Sequence, residues 1–116
     1  ATAFSAQGQT HASRASFNNH WGVPFSLASM DAGSDTGVFE IGMNHAGEIT
    51  PLTQMVRPDI AIITTIEPVH IENFNSVEEI ADAKAEIFAG LDHNGTAIIN
   101  HDNPHFARLY AAAQTR

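Results

Sequence analysis

Short apolar runs alternate with longer amphipathic stretches along the chain, and this pattern predicts strands that alternate with helices. Strands are expected in four segments, at positions 10–14, 38–41, 60–66 and 96–99. The third of these segments is mostly apolar and β-branched at successive positions, so we expect it to be buried on both faces of a sheet.

Helices are predicted in the stretches around and between these strands, at positions 24–30, 48–56, 77–91 and 104–113. Arg57 and Pro58 end the second helix. Ser76 is a favourable N-cap for the third helix, and Glu79 completes a capping box three residues later. This order of elements predicts an α/β fold with a mostly parallel sheet and helices on both faces. In such sheets, ligands bind beyond the carboxyl ends of the strands.

The composition indicates a globular chain with one modest core. Of its 116 residues, 43% are hydrophobic and 16% are charged. The formal net charge is -8, with only five Lys and Arg, so the broad basic surface that binds a phosphate backbone is missing. We therefore expect no nucleic-acid partner. The absence of Cys excludes disulfides and thiolate metal sites.

The start of the chain indicates a segment of a longer protein. The residues from Ala1 onward contain neither an initiator Met nor a charged-then-apolar signal pattern. No apolar run approaches the ~18 residues that a membrane span needs, so no membrane span is expected. A phosphate-binding loop, in which Gly, four residues, Gly, Lys and Ser or Thr follow one another, is not present.

Glu40 interrupts the predicted strand 38–41, in which both faces should be apolar. A buried carboxylate is costly unless a partner compensates its charge. Two interpretations remain open. Glu40 is either ion-paired or hydrogen-bonded at the end of the strand, or it is a ligand for a hard cation such as Mg²⁺, which prefers carboxylate oxygens.

Lys84 lies in the middle of the apolar stripe of the predicted helix 77–91. The other residues of this stripe are Val77, Ile80, Ala81, Ile87, Phe88 and Leu91. An ammonium group at this position either reaches solvent or an anion, or it loses its proton, because desolvation lowers the pKa of a lysine. A neutral amine can react with carbon dioxide to form a carbamate, which is an anionic oxygen ligand suited to Mg²⁺.

His70 lies in the loop after the strand 60–66, where it is either solvated or a ligand for a metal or a phosphate. Glu40 and His70 both follow strands, and Lys84 lies in the next element, so the three side chains are expected to converge on one crevice. Asn44 and His45 lie in a loop between a strand and a helix, and a turn or cap role there competes with ligand contact.

Several motifs in a fixed order resemble the Mur ligase family. They are the segments 16–24, 39–49, 69–74, 83–91 and 100–103. The resemblance extends from about Thr10 to Leu109. It implies that the whole chain, 1–116, is part of a central ATP-binding domain of the P-loop type. It also implies a phosphate loop and a uridine-binding domain upstream, and a further domain downstream.

The resemblance implies roles for individual residues as well. Glu40 would bind the Mg²⁺ that bridges the phosphates of ATP. His70 and a carbamylated Lys84 would act in catalysis by holding a second Mg²⁺.

Two loops are also assigned by the resemblance. Asn18 and Asn19 match a loop near the muropeptide substrate. Asn44 and His45 match a loop of the same cleft, and we expect them to contact the cofactor.

Within the family, the chain is most similar to the members that join D-alanyl-D-alanine to UDP-N-acetylmuramoyl-tripeptide through an acyl phosphate, in peptidoglycan synthesis. The resemblance therefore implies these two substrates, ATP as cofactor, a cytoplasmic location and a monomeric full-length enzyme. The segment by itself is expected to be inactive, because the phosphate loop and two domains are missing.

Three other interpretations remain. A sister ligase of the same superfamily would add another amino acid to the muropeptide, or glutamate to folate. A non-catalytic nucleotide-binding module is supported by the missing phosphate loop, but Lys84 on an apolar stripe argues against it. A zinc-binding module is disfavoured. His101 and His105 are four positions apart, but Pro104 and the strand-to-helix connection lie between them and weaken the interpretation as a zinc site.

Overall fold

The computed structural model describes residues 2–14, 16–68 and 71–115. The chain divides into two compact units, Ala1–Gly42 and Met43–Arg116. The prediction of one core is therefore refined, because each unit has its own pair of parallel strands. The predicted class is confirmed: the chain is α/β, and its strands pair in parallel.

The first unit contains β1 (Thr10–Ala12), α1 (Gly22–Ala28) and β2 (Thr36–Val38). Strand β1 pairs with β2 in parallel, with Thr10 opposite Thr36. Helix α1 begins two residues before Pro24, which therefore lies in the first turn, where a proline costs no hydrogen bond.

Strand β2 is shorter than predicted and ends at Val38. The prediction that Glu40 lies inside a strand with two apolar faces is wrong, because Glu40 follows the strand and is exposed. A carboxylate at this position keeps its hydration, so it needs no buried partner.

The second unit contains five longer elements and two short 3-10 helices. They are α2 (Ile49–Val56), β3 (Ile60–Ile63), the 3-10 helix Ile71–Asn73, α3 (Val77–Ala85), the 3-10 helix Glu86–Gly90, β4 (Thr96–Ile99) and α4 (Phe106–Gln114). Strands β3 and β4 pair in parallel, with Ile62 opposite Ile98. The predicted bounds of β4 are confirmed. Helix α2 ends at Val56, and the next residue, Arg57, adopts a left-handed conformation with φ 51°.

The core of this unit lies between one face of β3 and the helices that follow it. Its buried members come from β3 and the segment after it, from α3, from the second 3-10 helix and from α4. They include Ala61, Ile63, Ile66, Phe74, Ile80, Ala81, Ala83, Phe88, Leu91, Leu109 and Ala113. The stripe predicted around Lys84 is therefore largely confirmed as a buried face.

The opposite face of the β3–β4 pair is exposed. Ile60 is 55% exposed, Ile62 is 54% exposed and Ile98 is 45% exposed. The prediction that the strand 60–66 is buried on both faces is wrong, because only alternate residues of β3 face the core. All residues of β3 are apolar, so the sequence does not show that only alternate side chains of this strand face the core.

Helix α3 starts as predicted but ends early. Ser76 accepts a hydrogen bond from the N–H of Glu79, as an N-cap does. The carboxylate of Glu79 returns to the N–H of Asn75 at 2.9 Å, one residue before the cap. The segment after Ala85 tightens into the 3-10 helix, where the hydroxyl of Thr53 donates to the carbonyl of Ile87 at 2.8 Å.

Among the described residues, no helix has both the length and the apolar character needed to cross a membrane.

Candidate functional site

The carboxylate of Glu40 is fixed by a residue of a predicted substrate loop. The side-chain N–H of Asn18 donates to Oε1 of Glu40 at 2.8 Å. The N–H of Gly42 donates to the carbonyl of Asn18 at 2.8 Å, so the two segments are also joined through the backbone. Within the described part of the chain, Oε2 of Glu40 has no hydrogen-bond donor. The carboxylate is thus oriented, and one oxygen is available to a ligand.

Asn19 has a structural role that its position in the sequence did not show. Its side-chain oxygen accepts hydrogen bonds from the N–H groups of Trp21, at 3.1 Å, and Gly22, at 2.9 Å. These amides open helix α1 and have no partner within the helix. Asn19 therefore holds the start of α1, and its side-chain N–H₂ group remains available to a ligand.

Lys84 lies in the last turn of α3, between the buried Ala83 and the partly buried Ala85, and is itself half-buried. Its amine donates a hydrogen bond to the carbonyl of Thr65 at 3.2 Å. Neither an acidic side chain nor any other described side chain shares a hydrogen bond or an ion pair with it. The described residues thus provide no anion for Lys84, and its carbamylation stays a prediction.

The segment that leads from β3 toward His70 is anchored by two asparagines. The side chain of Asn100 donates to the carbonyl of Thr64 at 3.1 Å. The buried side chain of Asn103 donates to the hydroxyl of Thr65 at 3.3 Å and to the carbonyl of Ile66 at 3.4 Å. Lys84 and both asparagines thus bind the same short segment after the carboxyl end of β3.

The loop with Asn44 and His45 is closed by Glu48. One carboxylate oxygen of Glu48 accepts from the N–H of Asn44 at 2.7 Å and from the N–H of His45 at 3.3 Å. The other lies 3.2 Å from Nδ1 of His45. The hydrogen bond from Asn44 lowers the pKa of Glu48, weak desolvation opposes this, and His45 lowers the pKa further.

These contacts also settle which nitrogen of a neutral His45 carries its proton. An ionised Glu48 accepts from Nδ1–H, so Nε2 keeps its lone pair. Both Asn44 and His45 are exposed. The loop therefore presents an acceptor nitrogen and an amide side chain on a backbone that is held in place.

The predicted site residues fall into three groups. Glu40 and Asn18 meet in the first unit, and Lys84 lies in the second unit. His70 lies outside the described residues. Within the ranges that the structure describes, no group of three or more acidic or histidine side chains is arranged to hold a metal ion. The shared magnesium site stays a prediction.

Glu86 was not identified from the sequence, although it lies two residues after Lys84. Its carboxylate accepts hydrogen bonds from the N–H groups of Gly47 and Thr50 and from the hydroxyl of Thr50. The available signal was an acidic residue beside the apolar stripe of a helix. Such residues are usually solvated, and the contact spans 39 positions of the sequence.

Comparison with protein families and known proteins identifies the chain. The model of the Mur ligase middle domain matches residues 1–116. The chain belongs to the Mur ligase family. This Mur ligase domain is similar to the UDP-N-acetylmuramoyl-tripeptide--D-alanyl-D-alanine ligase of Rickettsia prowazekii, at 50% identity over 92 residues. That match covers 79% of the domain and 20% of the relative. The Escherichia coli ligase of the same name is 41% identical over 96 residues, with 83% and 21% covered.

Solved structures agree with this family assignment. The Mur ligase domain matches crystal structure I of MurF from Acinetobacter baumannii with a TM-score of 0.93 and 31% identity. The match covers 97% of this chain and 25% of that chain. The chain thus spans about a fifth of the length of the curated relatives that it matches and a quarter of the solved structure.

Proposed function

We propose that this chain is part of an ATP-dependent ligase that joins D-alanyl-D-alanine to UDP-N-acetylmuramoyl-tripeptide in peptidoglycan synthesis. The sequence relatives with that name support the choice of substrates. The structural observation that carries the proposal is the hydrogen bond between Asn18 and Glu40. It joins the proposed muropeptide loop to the proposed cation ligand within one unit of the chain.

Glu40 suits the role of a Mg²⁺ ligand. It is exposed at the end of β2, one oxygen accepts from Asn18, and the other has no donor within the described ranges. A bound cation would neutralise the phosphate charges of ATP that otherwise repel an attacking carboxylate. The residues proposed to hold two such ions are Glu40, His70 and carbamylated Lys84.

Lys84 suits carbamylation. One proton leaves the ammonium for solvent, and the neutral amine then attacks carbon dioxide. A C–N bond forms while one C=O π bond opens onto its oxygen, and a second proton leaves the nitrogen for solvent, so that a cation is replaced by an anion. The half-buried amine has a single hydrogen bond, to the carbonyl of Thr65, and no carboxylate partner among the described residues that would hold it as an ammonium. The backbone carbonyl of Thr65 can also accept a hydrogen bond from the remaining N–H of a carbamate.

The two loops that the resemblance assigns would each bind a different ligand. Asn18 and Asn19 would bind the muropeptide through their amide groups, and Asn44 and His45 would contact the nucleotide. His45 would accept a hydrogen bond at Nε2, because Glu48 holds the proton at Nδ1. We also propose a cytoplasmic enzyme, because ATP and a UDP-linked substrate are found in the cytoplasm. The monomeric state of the full-length enzyme is proposed from the resemblance to the family.

The proposed activity requires parts beyond these 116 residues. A phosphate loop and a uridine-binding domain would precede this segment, and a domain for the amine substrate would follow it. We therefore expect that the isolated segment releases no phosphate from ATP, even with both substrates present. Phosphate release by the isolated segment would contradict the division of labour proposed here.

The proposal is tested in the complete ligase that contains this segment. Phosphate release should require both UDP-N-acetylmuramoyl-tripeptide and D-alanyl-D-alanine. Glu40→Gln should lower kcat by about 100-fold or more, because a neutral amide neutralises no cation charge. Asp59→Asn is the matched control, since it removes one exposed carboxylate at the amino end of β3 and should leave kcat unchanged.

The same assay separates the alternatives. Release driven by another amino acid, or by glutamate with a folate, would identify a sister ligase. Nucleotide binding without release under any of these conditions would support a non-catalytic module and refute the proposal.

The carbamate has a separate test. Complete ligase that is equilibrated with ¹³C-bicarbonate should show one carbamate carbon resonance that Lys84→Arg abolishes. A spectrum in which the wild-type protein and Lys84→Arg are identical would refute carbamylation.

A further inference from the structure

The carboxylate of Glu86 joins the start of helix α2 to the end of helix α3. Oε1 accepts from the N–H of Gly47. Oε2 accepts from the N–H of Thr50 at 3.0 Å and from the hydroxyl of Thr50 at 3.1 Å. One side chain thus receives three hydrogen bonds from a segment that is 36 to 39 positions away in the sequence.

Helix α2 depends on this distant carboxylate, because its own N-cap residue does not cap it. Glu48 makes no side-chain cap hydrogen bond, since its carboxylate turns back to Asn44 and His45. The first amides of a helix have no partner within the helix, and they favour a negative charge. Glu86 supplies both an acceptor and a negative charge at Thr50.

Gly47 gives the contact its direction. Its φ of 87° lies in the left-handed region that side chains disfavour, and nothing lies within 4 Å of the position that a Cβ would occupy. Glycine is therefore required by the backbone conformation and not by lack of space. This conformation turns the N–H of Gly47 toward Glu86 at the end of the Asn44–His45 loop.

Glu86 lies in a segment that is packed against helix α2. It begins the 3-10 helix Glu86–Gly90, which packs against α2. The hydroxyl of the fully buried Thr53 donates to the carbonyl of Ile87. A Cβ at Gly90 would overlap the carbonyl of Thr53, so the two backbones are in direct contact.

The geometry points to Glu86 as a positioning residue that holds the Asn44–His45 loop at a fixed place relative to Lys84. Lys84 lies two residues before Glu86, in the last turn of α3. The same turn of chain therefore carries the proposed carbamate and the group that fixes the proposed nucleotide loop. This inference rests on the proposed function, because the loop and Lys84 have their roles from it.

Glutamine cannot replace Glu86 in this position. A carboxylate accepts at both oxygens, whereas an amide has one acceptor oxygen and a donor N–H₂ group. Glu86→Gln keeps the shape, but it leaves either Gly47 or Thr50 facing a donor. Thr50→Val removes only the hydroxyl contact and is the milder variant.

The test measures loop protection and nucleotide affinity in the complete ligase. Hydrogen exchange followed by mass spectrometry should be about tenfold faster in peptides that cover 43–50 in Glu86→Gln, and unchanged in those of β4. The Kd for a non-hydrolysable ATP analogue should rise about tenfold, and the KM for D-alanyl-D-alanine should change less than about twofold. Thr50→Val should show a smaller change in the same direction, and Asp59→Asn should show none.

Three outcomes decide between the possibilities. Unchanged exchange at 43–50 in Glu86→Gln overturns the inference. Faster exchange with an unchanged Kd also overturns it, because Glu86 would then only stabilise the fold. The proposed function fails separately if the wild-type ligase shows no amine-dependent phosphate release. In that case the Kd values of the wild-type ligase and of Glu86→Gln for the ATP analogue still decide whether Glu86 positions the loop.

Discussion

Carboxylates of this chain serve as acceptors that hold loops in place. Glu40 accepts from Asn18, Glu48 closes the loop at Asn44, and Glu79 accepts from the N–H of Asn75. A net charge of -8 is thus partly explained by structure, because ionised carboxylates are better acceptors for backbone N–H groups than neutral ones. Hydrogen bonds lower the pKa of Glu48 and of Glu79, so strong acidification should loosen the segments at Asn44 and Asn75 that these two carboxylates hold.

Glu48 provides the first prediction at this scale. The N–H of Asn44 holds the pKa of Glu48 below its ordinary value, and hydrogen bonds from His45 add to this. A lowered folded-state pKa means that the ionised form stabilises the loop. This contribution is fully present above the pKa of the unfolded chain and is lost as the pH falls through the folded pKa. We expect the amide signals of Asn44 and His45 to shift together below about pH 4.5.

NMR spectra recorded from neutral to acidic pH measure this transition. In Glu48→Gln the transition in the amide signal of Asn44 should vanish. The amide signal of Asn75 should still shift in this variant, because the N–H of Asn75 donates to Glu79. An Asn44 signal that shifts identically in both proteins would show that another group controls the loop. High salt should weaken the pH-dependent shift of these amide signals only modestly, because the shift depends on direct hydrogen bonds and salt screens short contacts little.

Helix α2 and the 3-10 helix Glu86–Gly90 pack directly against each other in the second unit. They share the Thr53–Ile87 hydrogen bond, and the backbone at Gly90 touches the carbonyl of Thr53. At the other end of α2, Gly47 has open space but a left-handed backbone. The two glycines are thus required for different reasons, one steric and one conformational.

Alanine at each glycine separates these reasons. Gly90→Ala should destabilise the unit by about 3 kcal/mol, because the new methyl group forces the two backbones apart. Gly47→Ala should cost about 1 kcal/mol, the usual penalty of a left-handed residue with a side chain. Urea unfolding monitored by circular dichroism measures both values. Equal losses, or the reverse order, would contradict the packing described for α2.

The elements show what local sequence predicts well. Strand β4 and the cap at Ser76 were predicted correctly, since capping and turn residues act within a few positions. The predicted helix 77–91 was too long, because the contact of Thr53 with Ile87, 34 positions away, shapes its second half. Propensity does not contain contacts of that range.

The candidate site residues were likewise chosen from local sequence, and their roles stay predictions. Glu40 and Lys84 are candidates because each interrupts an apolar pattern in the sequence. In the structure, however, Glu40 is exposed. Their hydrogen bonds to Asn18 and Thr65 follow from the fold and not from spacing. Glu86 broke no pattern, so only its three-dimensional contacts reveal its importance.

At the scale of the whole molecule, the main feature is an exposed apolar face on a pair of parallel strands, where such strands are usually covered by other elements. One face of the β3–β4 pair exposes three isoleucines, Ile60, Ile62 and Ile98. Parallel strands are usually covered on both faces, and exposed apolar patches promote association. We expect the isolated segment to self-associate through this face.

Threonine substitution of these three isoleucines should keep the isolated segment monomeric. Each exposed change should cost less than about 0.5 kcal/mol, and threonine retains strand propensity. The control is Ile63→Thr on the buried face of β3, which should cost about 3 kcal/mol and leave association unchanged. Sedimentation velocity over a range of concentrations measures the effect. A triple variant that associates like the parent would exclude this face as the contact.

The hydrogen bond between Asn18 and Glu40 has a consequence for the affinities of the two ligands. Under the proposed roles, it joins a side chain that meets the muropeptide to one that meets a cation. A ligand that draws either group away alters the other, so the two affinities become thermodynamically linked. Such linkage is reciprocal, and each ligand must change the dissociation constant of the other by the same factor.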